Sequence, residues 1–335
     1  MISLIKVSLK LNRISYNPVL FILSYSIPTF VLVYPSFFIP MLAKHFPYWE
    51  AFLLLSLPFL GRVFGSVLYQ FFRSYTIPFI LLSLLTFLQS NLLLIFPVRF
   101  LIGVLFGLLT SYAVDNAVKS SNNLILGLTT GGWSIGWVLS YIAYQFLHSF
   151  YEINLFASVL ILSLSFLGIG QPLKVLKARV NFSFPKVSSV LIYLSALTPA
   201  FALEVIPSIL EKINLTWLIL PAYVLSIIAY LGLPIIGQRM GIRKCVIVTM
   251  IVMLLSGLST FLLYPYMLLP FTIFGLGILS IVPKYLDLRG EKSERLGMAL
   301  NIGSIAGIAI PTLYSLFPIT PESFLIASSL MIFIL

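Results

Sequence analysis

The sequence predicts an all-α membrane protein with twelve transmembrane helices, and three observations carry that expectation. Of 335 residues, 60% are hydrophobic and only 9% charged, where a soluble domain carries about a quarter charged residues. Apolar runs near the roughly 20 residues a bilayer-spanning helix needs recur almost without pause. The Lys and Arg residues then fall in the connectors with a consistent sidedness.

The runs give spans at 17–42, 49–72, 75–90, 92–113, 124–147, 152–171, 187–210, 215–236, 244–263, 265–283, 295–317 and 321–335. They are too long for barrel strands and do not alternate polar with apolar. Helices are then the way to satisfy the backbone in lipid. With the N-terminus in the cytoplasm, sixteen of the twenty Lys and Arg lie on the cytoplasmic side, Lys44 and Lys212 lie outside, and Arg62 and Arg99 lie within the membrane. The expected location is the cell membrane, multi-pass, with both termini cytoplasmic. The N-terminal segment shows no small-residue cleavage site and reads as cytoplasmic tail plus first helix.

The net charge of +11 is spread over the cytoplasmic segments instead of forming one stripe, so topology explains it better than nucleic acid does. The lone Cys245 excludes an internal disulfide, and two distant histidines offer no metal-ligand spacing. No cofactor and no metal are expected.

Residues 172–186, with Pro172, Pro185 and four basic residues, form the longest polar stretch and divide the chain. The expected organisation is an N-terminal six-helix bundle over 1–171, a cytoplasmic linker over 172–186 and a C-terminal six-helix bundle over 187–335. Landmarks recur between the halves. Ile39-Pro40 answers Ile206-Pro207 at an offset of 167, while Gln70 answers Gln238 and Gly107 answers Gly275 at 168. Leu126-Gly127 answers Leu296-Gly297 at 170, and Gly132 and Gly136 answer Gly303 and Gly307 at 171. Six is an even number, so both copies start in the cytoplasm and the repeat is parallel.

Three segments resemble signatures of the major facilitator superfamily. Arg99-Phe100-Leu101-Ile102-Gly103 with Gly107 is similar to its helix 4 signature. Gln238-Arg239-Met240-Gly241-Ile242-Arg243-Lys244 is similar to its Asp-Arg-x-Gly-Arg-Arg cytoplasmic signature. Gly131-Gly132-Trp133-Ser134-Ile135-Gly136 resembles a Gly-rich helix 5 of its organic-acid and sugar-type symporters. The resemblance implies two pseudo-symmetric bundles that rock about a central cavity, and a cytoplasmic gate at Gln70, Arg73, Gln238, Arg239, Arg243 and Lys244. In the family an acid latches that gate. Here glutamines stand in its place, and the first-half loop keeps only Arg73 of the basic cluster.

A mid-membrane Arg costs about 2.5–3.5 kcal/mol even on lenient insertion scales, so such residues face a cavity or a partner. Arg62, Ser66, Tyr69 and Arg73 fall at i, i+4, i+7 and i+11 on one helix stripe. Arg62 and Arg99 are read as substrate-binding or, alternatively, as buried ties to backbone carbonyls or an acid. Glu204 is the one carboxylate placed clearly inside a helix and is the candidate proton carrier, the alternative being a permanent ion pair. Trp133 and Trp137 share a face with Tyr141 and Tyr144 and either stack on a solute or anchor in lipid. Asn301 reads as a polar solute contact or an interhelical hydrogen bond. The glycine pairs four apart read first as close-packing surfaces. Asp115, Glu50, Glu152, Glu211 and Glu322 read as solvated ends, and Asp287, Glu291 and Glu294 as part of a solvated loop.

The expected function is secondary transport of a small organic solute, an anionic carboxylate in symport with protons, by a monomer embedded in lipid. The alternatives are an efflux pump for apolar or cationic compounds and an intramembrane lipid-modifying enzyme. The enzyme would need clustered Asp, His or Cys at one membrane face, which the sequence lacks, so no enzymatic activity is expected.

Overall fold

The computed structural model describes residues 17–169, 174–175, 184–212, 214–261 and 265–317. They are helical apart from turns and a two-residue antiparallel ladder that sets Phe72 (β1, Phe72–Arg73) opposite Val175 and Arg73 opposite Lys174 (β2, Lys174–Val175). In chain order the α-helices are α1 (Pro18–Val33), α2 (Ile39–Leu42), α3 (Tyr48–Leu68), α4 (Thr76–Leu88), α5 (Ile95–Lys119), α6 (Asn123–Thr130), α7 (Gly132–Phe146) and α8 (Phe150–Ser165). They continue with α9 (Val187–Lys212), α10 (Ile219–Met240), α11 (Ile242–Phe261), α12 (Leu268–Gly277), α13 (Val282–Leu288), α14 (Ser293–Gly303) and α15 (Ala306–Leu316). Pieces with no loop between them group into eleven helical segments among the described residues. The expected twelfth, at 321–335, lies outside those residues, as do Lys6, Lys10 and Arg13 of the N-terminal tail.

Six of these segments are long and apolar enough to cross a membrane: Pro18–Leu42, Tyr48–Leu68, Ile95–Lys119, Phe150–Gly168, Thr216–Met240 and Arg295–Leu316. Burial is inverted relative to a soluble protein. Phe64, Leu84, Val159, Ile228 and Leu255 are each more than half exposed, while Arg62, Gln89, Arg99, Asn154 and Asn301 are fully buried. An apolar exterior around a polar interior suits a chain solvated by lipid.

Local chemistry sets the helix ends. Pro18 at the first position and Asn17, whose side chain accepts from the Val19 N–H at 3.1 Å, start α1. Ser149 and Glu152 form a capping box on α8. Gly241, at φ 94°, turns the chain between α10 and α11 in a single residue, a conformation that suits glycine. The 3-10 turn Tyr34–Phe38 follows α1 where Pro35 removes a backbone donor.

Three expectations change. The fourth apolar run was bounded at 113, yet α5 continues to Lys119, because Asp115 and Lys119 pair at i, i+4 and extend the helix beyond its apolar stretch. The fifth run breaks at Gly131 and the eleventh at Ser304–Ile305. Those breaks stand at nearly equivalent positions of the 170-residue step.

Packing follows the small residues. A Cβ on Gly103 or Gly107 would stand 2.0 Å from the carbonyl oxygen of Pro58 or Arg62, and one on Gly61 or Gly65 would meet Phe100 O at 2.1 Å or Val104 O at 1.9 Å. Helices α3 and α5 thus approach until backbone meets backbone, the use the sequence assigns to glycines four apart. The same contacts recur along the repeat. A Cβ on Gly132 would lie 2.8 Å from Tyr25 Cβ and 2.9 Å from Ser26 N. One on Gly303 would lie 2.7 Å from Tyr193 Cβ and 2.9 Å from Leu194 N. Tyr25 and Tyr193 are 168 apart, and Gly132 and Gly303 are 171 apart. Accordingly α1 packs on α7 as α9 packs on α14.

Candidate functional site

Arg62 lies in the C-terminal half of α3, and its side chain joins the first part of the chain to the last. Its Nε donates to Asn301 Oδ1 of α14. Its guanidinium carbon lies 4.4 Å from the centre of the Phe106 ring of α5, an attractive cation–π geometry. Tyr25 of α1 meets the same Phe106 ring edge-on, with centroids 6.3 Å apart, and Tyr193 of α9 packs beside Gly303, two residues beyond Asn301. Asn301 is held from the other side, with its Nδ2 donating to Gly107 O at 3.0 Å and Ser111 Oγ at 2.8 Å, and Thr110 Oγ1 lies 3.1 Å from its Oδ1. Of the expected stripe, Arg62, Ser66 and Tyr69 are buried, but α3 ends at Leu68, short of the expected 72, and Arg73 stands beyond it in β1, partly exposed.

The repeat has a counterpart to this contact. Position 230 answers position 62 at 168, and position 131 answers position 301 at 170. A Cβ on Gly131 would stand 3.3 Å from Tyr230 Cβ. Equivalent helix crossings therefore hold Arg62 against Asn301 and Tyr230 against Gly131.

Trp133 and Trp137 of α7 are fully buried and turned inward, not toward lipid. Trp137 stacks on Tyr223 of α10, with centroids 4.7 Å apart and planes 11° from parallel. One turn away, the hydroxyls of Ser134 and Ser226 meet at 2.6 Å. Arg62 with Asn301 and Trp133 with Trp137 thus lie in a core closed to solvent, the first pair where α3 meets α14 and the second where α7 meets α10.

Arg99 stands apart from it. Its Nε donates to Leu54 O at 2.9 Å, its Nη1 to Val31 O and Gln89 Oε1 at 3.2 Å each, and its Nη2 to Leu32 O at 2.8 Å. Two of these acceptors come from prolines. Pro58 cannot donate to Leu54 O four residues earlier, and Pro35 cannot donate to Val31 O. Gln89 passes the network on to Tyr34 at 2.6 Å and Asn154 at 2.9 Å, and Tyr34 donates to Asn154. Of the two readings open to Arg99, the geometry fits the tie to backbone carbonyls.

Two acids depart from expectation, Asp115 from a solvated helix end and Glu291 from a solvated loop. Asp115 is 2% exposed and accepts from Tyr69 OH at 2.7 Å and Lys119 Nζ at 2.9 Å, with Arg73 Nη1 at 3.8 Å. Glu291 is also 2% exposed, accepting from the Lys186 N–H at 2.9 Å and Ser189 Oγ at 2.6 Å beside Arg295. Each is buried because a helix terminus or a basic side chain compensates its charge. Glu204 lies on α9, and its side chain falls outside the described residues, as do those of Glu211 and Glu294.

At the expected cytoplasmic gate, Gln70 Nε2 reaches Met298 Sδ of α14 at 3.7 Å, and Arg73 joins the Asp115 cluster. Gln238, Arg239, Arg243 and Lys244 are exposed around the Gly241 turn. A cleft of about 120 Å³ opens where α5, α6 and α13 meet, near Asn122, Lys284 and Asp287. It is remote from Arg62 in the fold, and Lys284 Nζ donates there to Asn123 Oδ1 at 2.8 Å. Among the described residues no group of three His, Cys, Asp or Glu could hold a metal.

No family model matches the chain, and no curated protein matches it. Tyr25, Phe106 and Tyr193, which lie about Arg62 and Asn301, carry no motif of their own in the sequence. The signal available for two of them is the repeat itself, because Tyr25 and Tyr193 are equivalent positions bearing the same residue.

Proposed function

We propose that the protein is a secondary transporter of a small organic solute, of the major facilitator type, favouring an anionic carboxylate carried in symport with protons. The observation that carries this reading is the fully buried guanidinium of Arg62, bound to Asn301 across the join between the early and late helices. A guanidinium recognises a carboxylate by paired hydrogen bonds. Placed where two sets of helices meet, it would bind from either side as they rock. The recurring contacts of Tyr25 with Gly132 and of Tyr193 with Gly303 support two pseudo-symmetric six-helix bundles over 1–171 and 187–335, joined by the cytoplasmic linker. Breaks in the helices beside Gly132 and Asn301 fit sites built on discontinuous helices.

In this reading both termini face the cytoplasm of a cell membrane, the working unit is a monomer, and Glu204 carries the proton. The test is uptake into vesicles holding the purified protein, driven by an imposed pH gradient. Organic acids should accumulate, and a protonophore should abolish accumulation. Arg62→Ala should raise the Km about tenfold or more, corresponding to about 1.4 kcal/mol of lost binding. Glu204→Gln should keep exchange of the acid and lose gradient-driven accumulation. Preference for apolar cations, with Arg62→Ala indifferent, would overturn the reading in favour of efflux.

A further inference from the structure

Asn301 of the late helix α14 is plugged into a socket built by the early helices α3 and α5. Its Oδ1 accepts from Arg62 Nε and lies 3.1 Å from Thr110 Oγ1, while its Nδ2 donates to Gly107 O at 3.0 Å and to Ser111 Oγ at 2.8 Å. Both ends of the amide, acceptor and donor, are thus held by one surface. The helices close tightly around the plug. One turn before Asn301, a Cβ on Gly297 would lie 2.8 Å from Ser111 Cα, and Gln70 Nε2 reaches Met298 Sδ at 3.7 Å.

A guanidinium takes a carboxylate most firmly along one edge, where two N–H groups donate in parallel to its two oxygens. On Arg62, the Nε–H already donates to the amide oxygen of Asn301, and the guanidinium carbon stands 4.4 Å from the centre of the Phe106 ring. A carboxylate arriving along the Nε edge therefore meets a seated side chain. It brings a full negative charge to the cation, where the amide offers only a dipole.

We infer that Asn301 and the solute compete for the Nε edge of Arg62, so that a carboxylate binding there displaces Asn301 and frees α14 from its socket on α3 and α5. This rests on the transport reading above and adds how the same site is regulated. While Asn301 is seated, apparent affinity for the solute falls in proportion to the fraction of time the edge is open.

The test measures binding of lactate, succinate and benzoate to the full chain in detergent micelles by calorimetric titration. For the tightest binder of the three, Asn301→Ala should lower Kd about tenfold, as expected if the edge is open about a tenth of the time, and it should lower Tm as well. Ser111→Ala removes one acceptor of the plug without touching Arg62 and should lower Kd about twofold to threefold. Asn301→Asp sets a charged competitor on the same edge and should raise Kd about tenfold or more. In the wild type, the bound acid should speed hydrogen exchange along α14. A role for Asn301 in packing alone predicts binding that is weaker or unchanged in both alanine variants. That result, with affinity still lost in Arg62→Ala, would overturn this inference and leave the transport of organic acids standing. Absence of binding and flux for every carboxylate would bring down the transport reading, and this inference with it.

Discussion

Replacing Arg99 by Leu in a Pro58→Ala background isolates what the buried guanidinium does. In the wild type Arg99 supplies the donors for Leu54 O, Val31 O and Leu32 O. Arg99→Leu strands three carbonyls at about 1–3 kcal/mol each, so the gross loss centres on about 6 kcal/mol. Removing a charge from the membrane interior returns about 3 kcal/mol, which leaves a net loss of about 3 kcal/mol. At about 2–4 °C per kcal/mol, Tm should drop by roughly 6–12 °C. Pro58→Ala restores an N–H that can bond Leu54 O, so in the double variant only two carbonyls lose their donor. The double variant should then be more stable than the sum of the single losses by about 2 kcal/mol. The assay is thermal unfolding of the four proteins in detergent micelles. Additivity within about 0.5 kcal/mol would refute the claim that Pro58 creates the acceptor that Arg99 fills.

Gly107→Ala should destabilise by about 1–3 kcal/mol, since its Cβ would stand 2.0 Å from Arg62 O. The same variant should weaken solute binding, because relief requires α3 to shift with Arg62 on it. A binding titration alongside the melt checks both effects. Asp115→Asn should cost about 1–2 kcal/mol, the discount reflecting the partial exposure of Arg73 and Lys119. It should also raise hydrogen exchange at the adjoining ends of α3 and α5, and exchange unchanged at both ends would remove the cluster from any role in holding them together.

The helices were legible because lipid demands long apolar runs, and the polar residues interrupting them stood out for the same reason. Arg62 and Asn301 could each be found that way, but their meeting could not, because 239 positions separate them and no local spacing encodes it. Asp115 was misread because apolar content stops short of it, whereas the helix is carried onward by a charge pair. Arg99 illustrates a different gap. Its partners are carbonyl oxygens, which every residue has, so side-chain patterns are silent. The legible trace was indirect: a proline four residues beyond Val31 and another four beyond Leu54. Glu291 follows Gly290, at φ 76°, and that turn folds the acid back onto the start of α9, a tertiary outcome with no signature in composition.

Positions 62 and 230 share one kind of crossing but hold an arginine and a tyrosine. Had both been arginine, two like charges would share one buried core and repel. With arginine at one position and tyrosine at the other, a near-symmetric core acquires a head and a tail. On the proposed transport reading, a guest bearing its charge at one end would then be seated in a single pose.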